Sequence, residues 1–214
     1  MNWLTRLLSN RADTSSLDAP LRAAIAQWEA APAPDPARPH FETRYVVVNT
    51  EASGLDLDKD RLLAVGAVAL DGAVLSPHES YYARLDPDPA TALANLLTFV
   101  GKGPVVVYNS GFNRTLLERA LGETLGVDAE WLWLDLYWLL PSLYEDYIDR
   151  PSRLADWMKA FNIETFQRHH GLGDAWAIAQ MMLAAQSRAL LLGVNNARGL
   201  ADLERTRRQL MRQG

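Results

Sequence analysis

RYVVVNTEASGL, residues 44–55, is a β-branched run that breaks into a polar, glycine-containing turn, and the rest of the chain is read outward from it. Side chains two apart on a strand share a face, so Asn49 and Glu51 converge where the run ends. A second apolar run, LLAVGAVAL (62–70), is closed by Asp71-Gly72, a hairpin signal. These are two strands of an antiparallel meander, with 81–85 continuing the sheet. Apolar spacing predicts a helix over 89–100. PVVVY (104–108) is all apolar, as in a strand buried on both faces, and feeds a helix over 113–121. Further helices are predicted near 135–147, 152–161, 173–189 and 197–212. A meander, then strand and helix, then helices argues a mixed sheet covered on both faces, an α/β layer fold.

With 214 residues, 49% of them hydrophobic and 22% charged, the chain holds one principal core. The expected division is an N-terminal helical extension (1–31), a linker (32–43) with Pro32, Pro34, Pro36 and Pro39, the main domain (44–187) and a basic C-terminal helix (188–214). That last segment sets six arginines against Asp202 and Glu204, in a chain whose net charge is −5. An acidic whole gives no general affinity for phosphate, so any such affinity has to be local. The terminal helices are the expected surfaces for a protein partner. No apolar run approaches the roughly 20 residues of a membrane span. MNWLTRLLSN lacks a secretory leader's apolar core, and the absence of Cys excludes disulfides and thiolate zinc. The expectation is a cytoplasmic protein with no membrane part.

Three segments at element ends carry the chemistry. They are Asn49-Thr50-Glu51 with Ser53-Gly54-Leu55; Asn109 followed by Phe112-Asn113; and His169 with Asp174 five residues on, beside His170. In this order they resemble the three motifs of the DEDDh 3′-to-5′ exonucleases, the group that includes the epsilon proofreading subunit of bacterial DNA polymerase III. The likeness extends to Gly66-Ala67-Val68 and to 135–141, and spans about residues 44–187. It implies a ribonuclease-H-like exonuclease fold, a mixed β-sheet flanked by helices. The implied activity is hydrolysis or recognition of the 3′ end of single-stranded DNA or RNA.

The resemblance further implies four carboxylates holding two Mg²⁺ or Mn²⁺ ions. Hard cations want oxygen ligands, and a pair about 4 Å apart stabilises both the attacking and leaving oxygens. A neutral histidine would accept the proton of the attacking water. Carried onto this chain, the metal positions are Asn49, Glu51, Asn113 and Asp174. The catalytic group is His169 with Glu51 and Asp174, and the substrate-binding positions are Thr50, Gly54, Leu55, Asn109 and Phe112.

Two of the four acids are therefore amides. Asn keeps one carbonyl oxygen but loses the charge. A unit charge facing a divalent ion at 4 Å and an effective dielectric of about 20 is worth roughly 8 kcal/mol before hydration is discounted. The expectation is one weak ion on Glu51 and Asp174 or none, and weak or no exonuclease activity. The alternative is a catalytically silent module that binds nucleic-acid ends or a protein. Three explanations of the amides stay open: natural loss, retuning with Asp56 and Asp58 as substitute ligands, or deliberate inactivation. Trp131, Trp133, Tyr137, Trp138, Tyr144 and Tyr147 read as core or contact residues more than as base-stacking platforms.

Overall fold

The computed structural model describes residues 12–213, so the start of the N-terminal extension lies outside the described residues. Helix α1 (Ala19–Ala30) is followed by strands β1 (Arg44–Ala52), β2 (Leu62–Asp71) and β3 (Val74–Arg84), helix α2 (Pro89–Val100), strand β4 (Val105–Val107) and helix α3 (Ser110–Leu125). Strand β5 (Trp133–Asp135) and helices α4 (Leu136–Leu143), α5 (Leu154–Ala160), α6 (Gly171–Leu191) and α7 (Ala197–Gln213) complete it. The strands form one sheet in the order β3-β2-β1-β4-β5, antiparallel through β1 and parallel beyond it. This is the mixed sheet covered on both faces that the sequence predicts.

Two strand assignments differ from the sequence reading. Trp133–Asp135 pairs with β4 as a fifth strand, where only aromatic core and the start of a helix were expected. Three residues are too few for a strand period to show. The β2–β3 turn is centred on Gly72 and Ala73, at φ 55° and 67°, while Asp71 stays in the ladder opposite Val74. Strand β3 therefore begins at residue 74 and not at 81, and positive φ at both central residues suits a two-residue hairpin.

Alternation along β1 divides it between two cores. Tyr45 and Val47 pack with Leu139, Ile178 and Met182 on the α4 and α6 side, while Val46 and Val48 pack with Leu93, Leu97, Leu117 and Leu121 of α2 and α3. Asn49 and Glu51 continue the α6 face, and Thr50 the other. Helix α6 crosses β2 so closely that a Cβ on Gly66 would fall inside the Gly171–Leu172 peptide.

The terminal segments are built into this body. In α1, Ile25 and Trp28 are buried. The indole N–H groups of Trp28 and Trp131 both donate to the Gly101 carbonyl, at 2.9 and 2.8 Å. The Pro-rich stretch is pinned to the segment before α7: His40 N–H donates to Asn195 O at 2.8 Å and Arg198 N–H to Pro36 O at 3.0 Å. In α7, Ala197 and Leu200 are fully buried. Arg207 turns inward to the Asp149 carbonyl and Arg208 to Asp135, while Arg205 and Arg212 stay exposed. None of the described helices is long and apolar enough to cross a membrane.

The buried His40 ring places Nδ1 2.7 Å from the Tyr45 hydroxyl and Nε2 3.3 Å from the Val194 carbonyl. A carbonyl only accepts, so Nε2 carries the proton, and in the neutral imidazole that burial favours Nδ1 accepts from the Tyr45 hydroxyl. Burial holds its pKa below the ordinary 6.5, against the pull of the Val194 carbonyl. A depressed histidine adds stability that is complete above its unfolded value and lost as pH falls through its folded value. We therefore expect the urea-unfolding free energy to drop below pH 6.5. His40→Asn should remove that part of the slope; an unchanged slope in the variant would assign it to other groups.

Candidate functional site

Strand β1 outruns its parallel neighbour. Its pairing with β4 covers Val46 and Val47 only. The N–H of Val46 points toward that side, donating to Pro104 O at 3.1 Å, so the N–H of Thr50 points the same way beyond the end of β4. Asn113, in the first turn of α3, fills the gap. Its Oδ1 accepts from Thr50 N–H at 2.9 Å and from the Thr50 hydroxyl at 2.7 Å, and its Nδ2 donates to Tyr108 O at 2.8 Å and Asn109 O at 3.4 Å. Both lone-pair positions and both N–H groups of the buried amide are thus used, and donors on one side with acceptors on the other fix its orientation.

The start of α3 is held from outside. Asn109 is left-handed (φ 67°), exposed, and makes no side-chain cap. The Asp135 carboxylate caps instead, accepting from the N–H groups of Asn109 (2.9 Å), Ser110 (2.8 Å) and Tyr137 (3.0 Å). Arg208 donates to Asp135 at 3.2 Å and to Ser110 Oγ at 2.8 Å, and Glu204 accepts from Asp135 N–H at 2.8 Å and from Arg208 Nε at 2.9 Å. Burial pushes the Glu204 carboxyl up, against Asp135 N–H and Arg208. Helix α7 thereby reaches the α3 terminus, a link without local sequence signal because 69 residues separate Asp135 from Glu204.

On the other face of β1, Glu51 meets α6. Its Oε1 accepts from Gly171 N–H at 2.7 Å and from the Tyr82 hydroxyl at 3.2 Å. The Tyr82 ring stacks on His170, centroids 4.5 Å apart and planes 24° from parallel. His170 is the N-cap of α6, its Nδ1 accepting from Gly173 N–H at 3.4 Å. His169 is left-handed (φ 59°) and exposed. Asp174 is buried in the first turn of α6 and ion-paired with Arg168. Burial pushes its carboxyl up, opposed by Arg168 and His169. Tyr82 and Arg168 are absent from the sequence reading; Tyr82 enters only through the β2–β3 register, opposite Gly66.

The structure thus brings Glu51 and Asp174 to the start of α6, bonds Thr50 to Asn113, and leaves Asn49 half-buried on the Glu51 face. Phe112 is half-buried on α3, Gly54 lies against the Asp60 carboxylate, and Leu55 is 87% exposed. Asp56 accepts from Asp58 N–H at 3.0 Å and pairs with Lys59 at 3.0 Å, in a turn that Arg119 of α3 holds through the Leu57 and Asp60 carbonyls. Among the described residues no group of three or more His, Asp or Glu side chains is placed to hold a metal ion. Two amides, one with every hydrogen-bonding position used, and an acid already paired with Arg168 do not fit the two-ion site that the resemblance implies.

A mixed sheet with β1 central, and the candidate residues at its end and at the starts of α3 and α6, is a ribonuclease-H-like fold. Within that class the chain has the fold of the DEDDh-type 3′-to-5′ exonucleases, on the following comparisons. It superposes on E. coli Exonuclease I in complex with a dT13 oligonucleotide with a TM-score of 0.50 and 16% identity, over 70% of this chain and 42% of that one. For Exonuclease X in complex with 5′ overhanging duplex DNA the TM-score is 0.52 and the identity 14%, over 75% and 99%. The zinc-bound E. coli Exonuclease I complex with single-stranded DNA gives 0.53 and 17%, over 69% and 41%. Among curated proteins, the PolC-type DNA polymerase III of Thermotoga petrophila is 22% identical over 186 residues, and that of Thermotoga maritima 21% over 188. The chain spans only 13% of the length of either. No family model matches it.

Proposed function

We propose that this chain is a non-hydrolysing module on the exonuclease fold that binds the 3′ end of single-stranded nucleic acid. Asn113 carries the reading. An Asp here would keep the two bonds to Thr50 but turn a carboxylate oxygen toward the carbonyls of Tyr108 and Asn109. The surroundings are thus built for an amide and not for an ionised ligand. Asp174, the buried acid at the α6 start, is neutralised by Arg168 from the same chain. The fold it shares with an Exonuclease I structure that holds a dT13 oligonucleotide supports a single-strand ligand.

The test uses a 5′-labelled single-stranded oligonucleotide with Mn²⁺, the unaltered chain, and an Asn49→Asp/Asn113→Asp variant. We expect the chain to retain the oligonucleotide on a filter while neither protein shortens it from the 3′ end. Shortening by the unaltered chain that is lost in Glu51→Ala, or its failure to retain the oligonucleotide, would overturn the reading; shortening gained by the double variant would overturn only the claim that the Asn113 surroundings reject an ionised ligand. Asn113→Asp alone should lower the unfolding free energy by about 1–3 kcal/mol, because two buried carbonyls lose their donor. Urea denaturation measures it.

A further inference from the structure

We propose that Arg168 stands where a metal ion would otherwise be needed: held by Asp174, its guanidinium binds a backbone phosphate of the strand directly, so binding requires no divalent cation. The inference rests on the non-hydrolysing reading and names the group that makes phosphate contact.

Three observations converge on it. Asp174 is a buried acid, its side chain 10% exposed, and its cationic partner comes from six residues earlier in the same chain. Arg168 reaches it from the N-terminal side of the left-handed His169, ahead of the α6 start. The contact with Asp174 is made by Nη1 of Arg168, whose side chain is 33% exposed. A guanidinium has five N–H donors in a planar fork, so one edge can hold a carboxylate while another meets phosphate.

Charge arithmetic shows that Arg168 halves the repulsion a phosphate would meet. Glu51 and Asp174 alone would present two negative charges at the α6 terminus and repel phosphate. Arg168 offsets one, and Gly171 N–H already engages Glu51 at 2.7 Å. A protein arginine stays charged at any working pH and cannot be chelated away. A strand held by Arg168 would therefore be indifferent to EDTA.

The experiment measures fluorescence anisotropy of a 5′-labelled oligothymidylate, in EDTA and in Mn²⁺, with the full chain, Arg168→Gln and an Arg168→Gln/Asp174→Asn pair. The pair removes both charges together, so that no unpartnered carboxylate is left to unfold the site. The unaltered chain should bind equally in both buffers. Both variants should bind about tenfold more weakly, as for a lost charge-assisted hydrogen bond. Their salt dependence should flatten by about 0.7 in log–log slope, one single-strand phosphate contact. Affinity that appears only with Mn²⁺ would overturn the inference, as would a paired variant that binds like the unaltered chain. If the unaltered chain binds no oligonucleotide in either buffer, the functional reading falls too; if it binds and Arg168 is irrelevant, only this inference falls.

Discussion

Gly66→Ala is expected to destabilise the protein by about 3 kcal/mol and to abolish oligonucleotide binding with it. The new methyl group would meet the Gly171–Leu172 peptide, which is backbone and has no rotamer to escape into. Crowding is mutual, since a Cβ on Gly171 would lie 3.1 Å from both Gly66 N and Glu51 Oε1. The first turn of α6 must therefore retreat from β2, taking Gly171 N–H away from Glu51 and Asp174 away from its present place. Overpacking of a well-filled interior commonly costs about 1–3 kcal/mol, and rigid backbone on both sides puts this position at the upper end. Chemical denaturation reads the stability and anisotropy the binding. Wild-type values in both would show that α6 can rest farther from the sheet.

Arg208→Ala should be as damaging from the other side of the molecule. Asp135 and Glu204, with side chains 2% and 11% exposed, share Arg208 as their cation. Removing one member of a buried ion network costs about 3–5 kcal/mol, and a 33% exposed Arg208 places the loss near the lower bound. The N-terminus of α3 should loosen, because Arg208 also holds Ser110 Oγ. The loss has a pH signature. Glu204 is held above its ordinary 4.5, and a raised carboxyl contributes stability that is present below its unfolded value and lost as pH rises through the folded one. Removing Arg208 raises that carboxyl further, so the deficit of the variant should shrink as pH falls toward 4.5. A deficit constant from neutral to acid pH would mean that packing, not charge, is what Arg208 supplies.

What was legible in the sequence is what short periods encode. The alternation in 44–51 places Asn49 and Glu51 on one face, and the helix over 89–100 appears with those bounds. The three motif segments do lie at the ends of β1, at the start of α3 and at the start of α6. What was not legible depends on pairings between distant segments. Tyr82 joins Glu51 only because β3 lies in a particular register on β2. The use of Asn113 as a plug for the overhanging edge of β1 depends on β4 being three residues long. Arg168 lies one residue before His169, yet nothing in its neighbourhood marks it as the partner of Asp174. The Pro-rich stretch reads as a linker on composition alone, whereas its backbone bonds and His40 tie it to the residues before α7.

The shared carbonyl of Gly101 makes the docking of α1 an optical event. Trp28 and Trp131 meet on it edge to face, centroids 6.0 Å apart and planes at 82°, with the Lys102 ammonium 3.3 Å from the Trp28 ring centre. Two indoles so close and so nearly perpendicular couple their electronic transitions in a chiral arrangement. Circular dichroism should therefore carry a contribution from this contact beside that of the neighbouring Trp131–Trp133 pair, whose centroids lie 5.6 Å apart, and the Trp28 part should be lost when α1 lifts away while the Trp131–Trp133 part stays with the sheet. The chain thus contains a native spectroscopic reporter that distinguishes detachment of its N-terminal helix from melting of the whole.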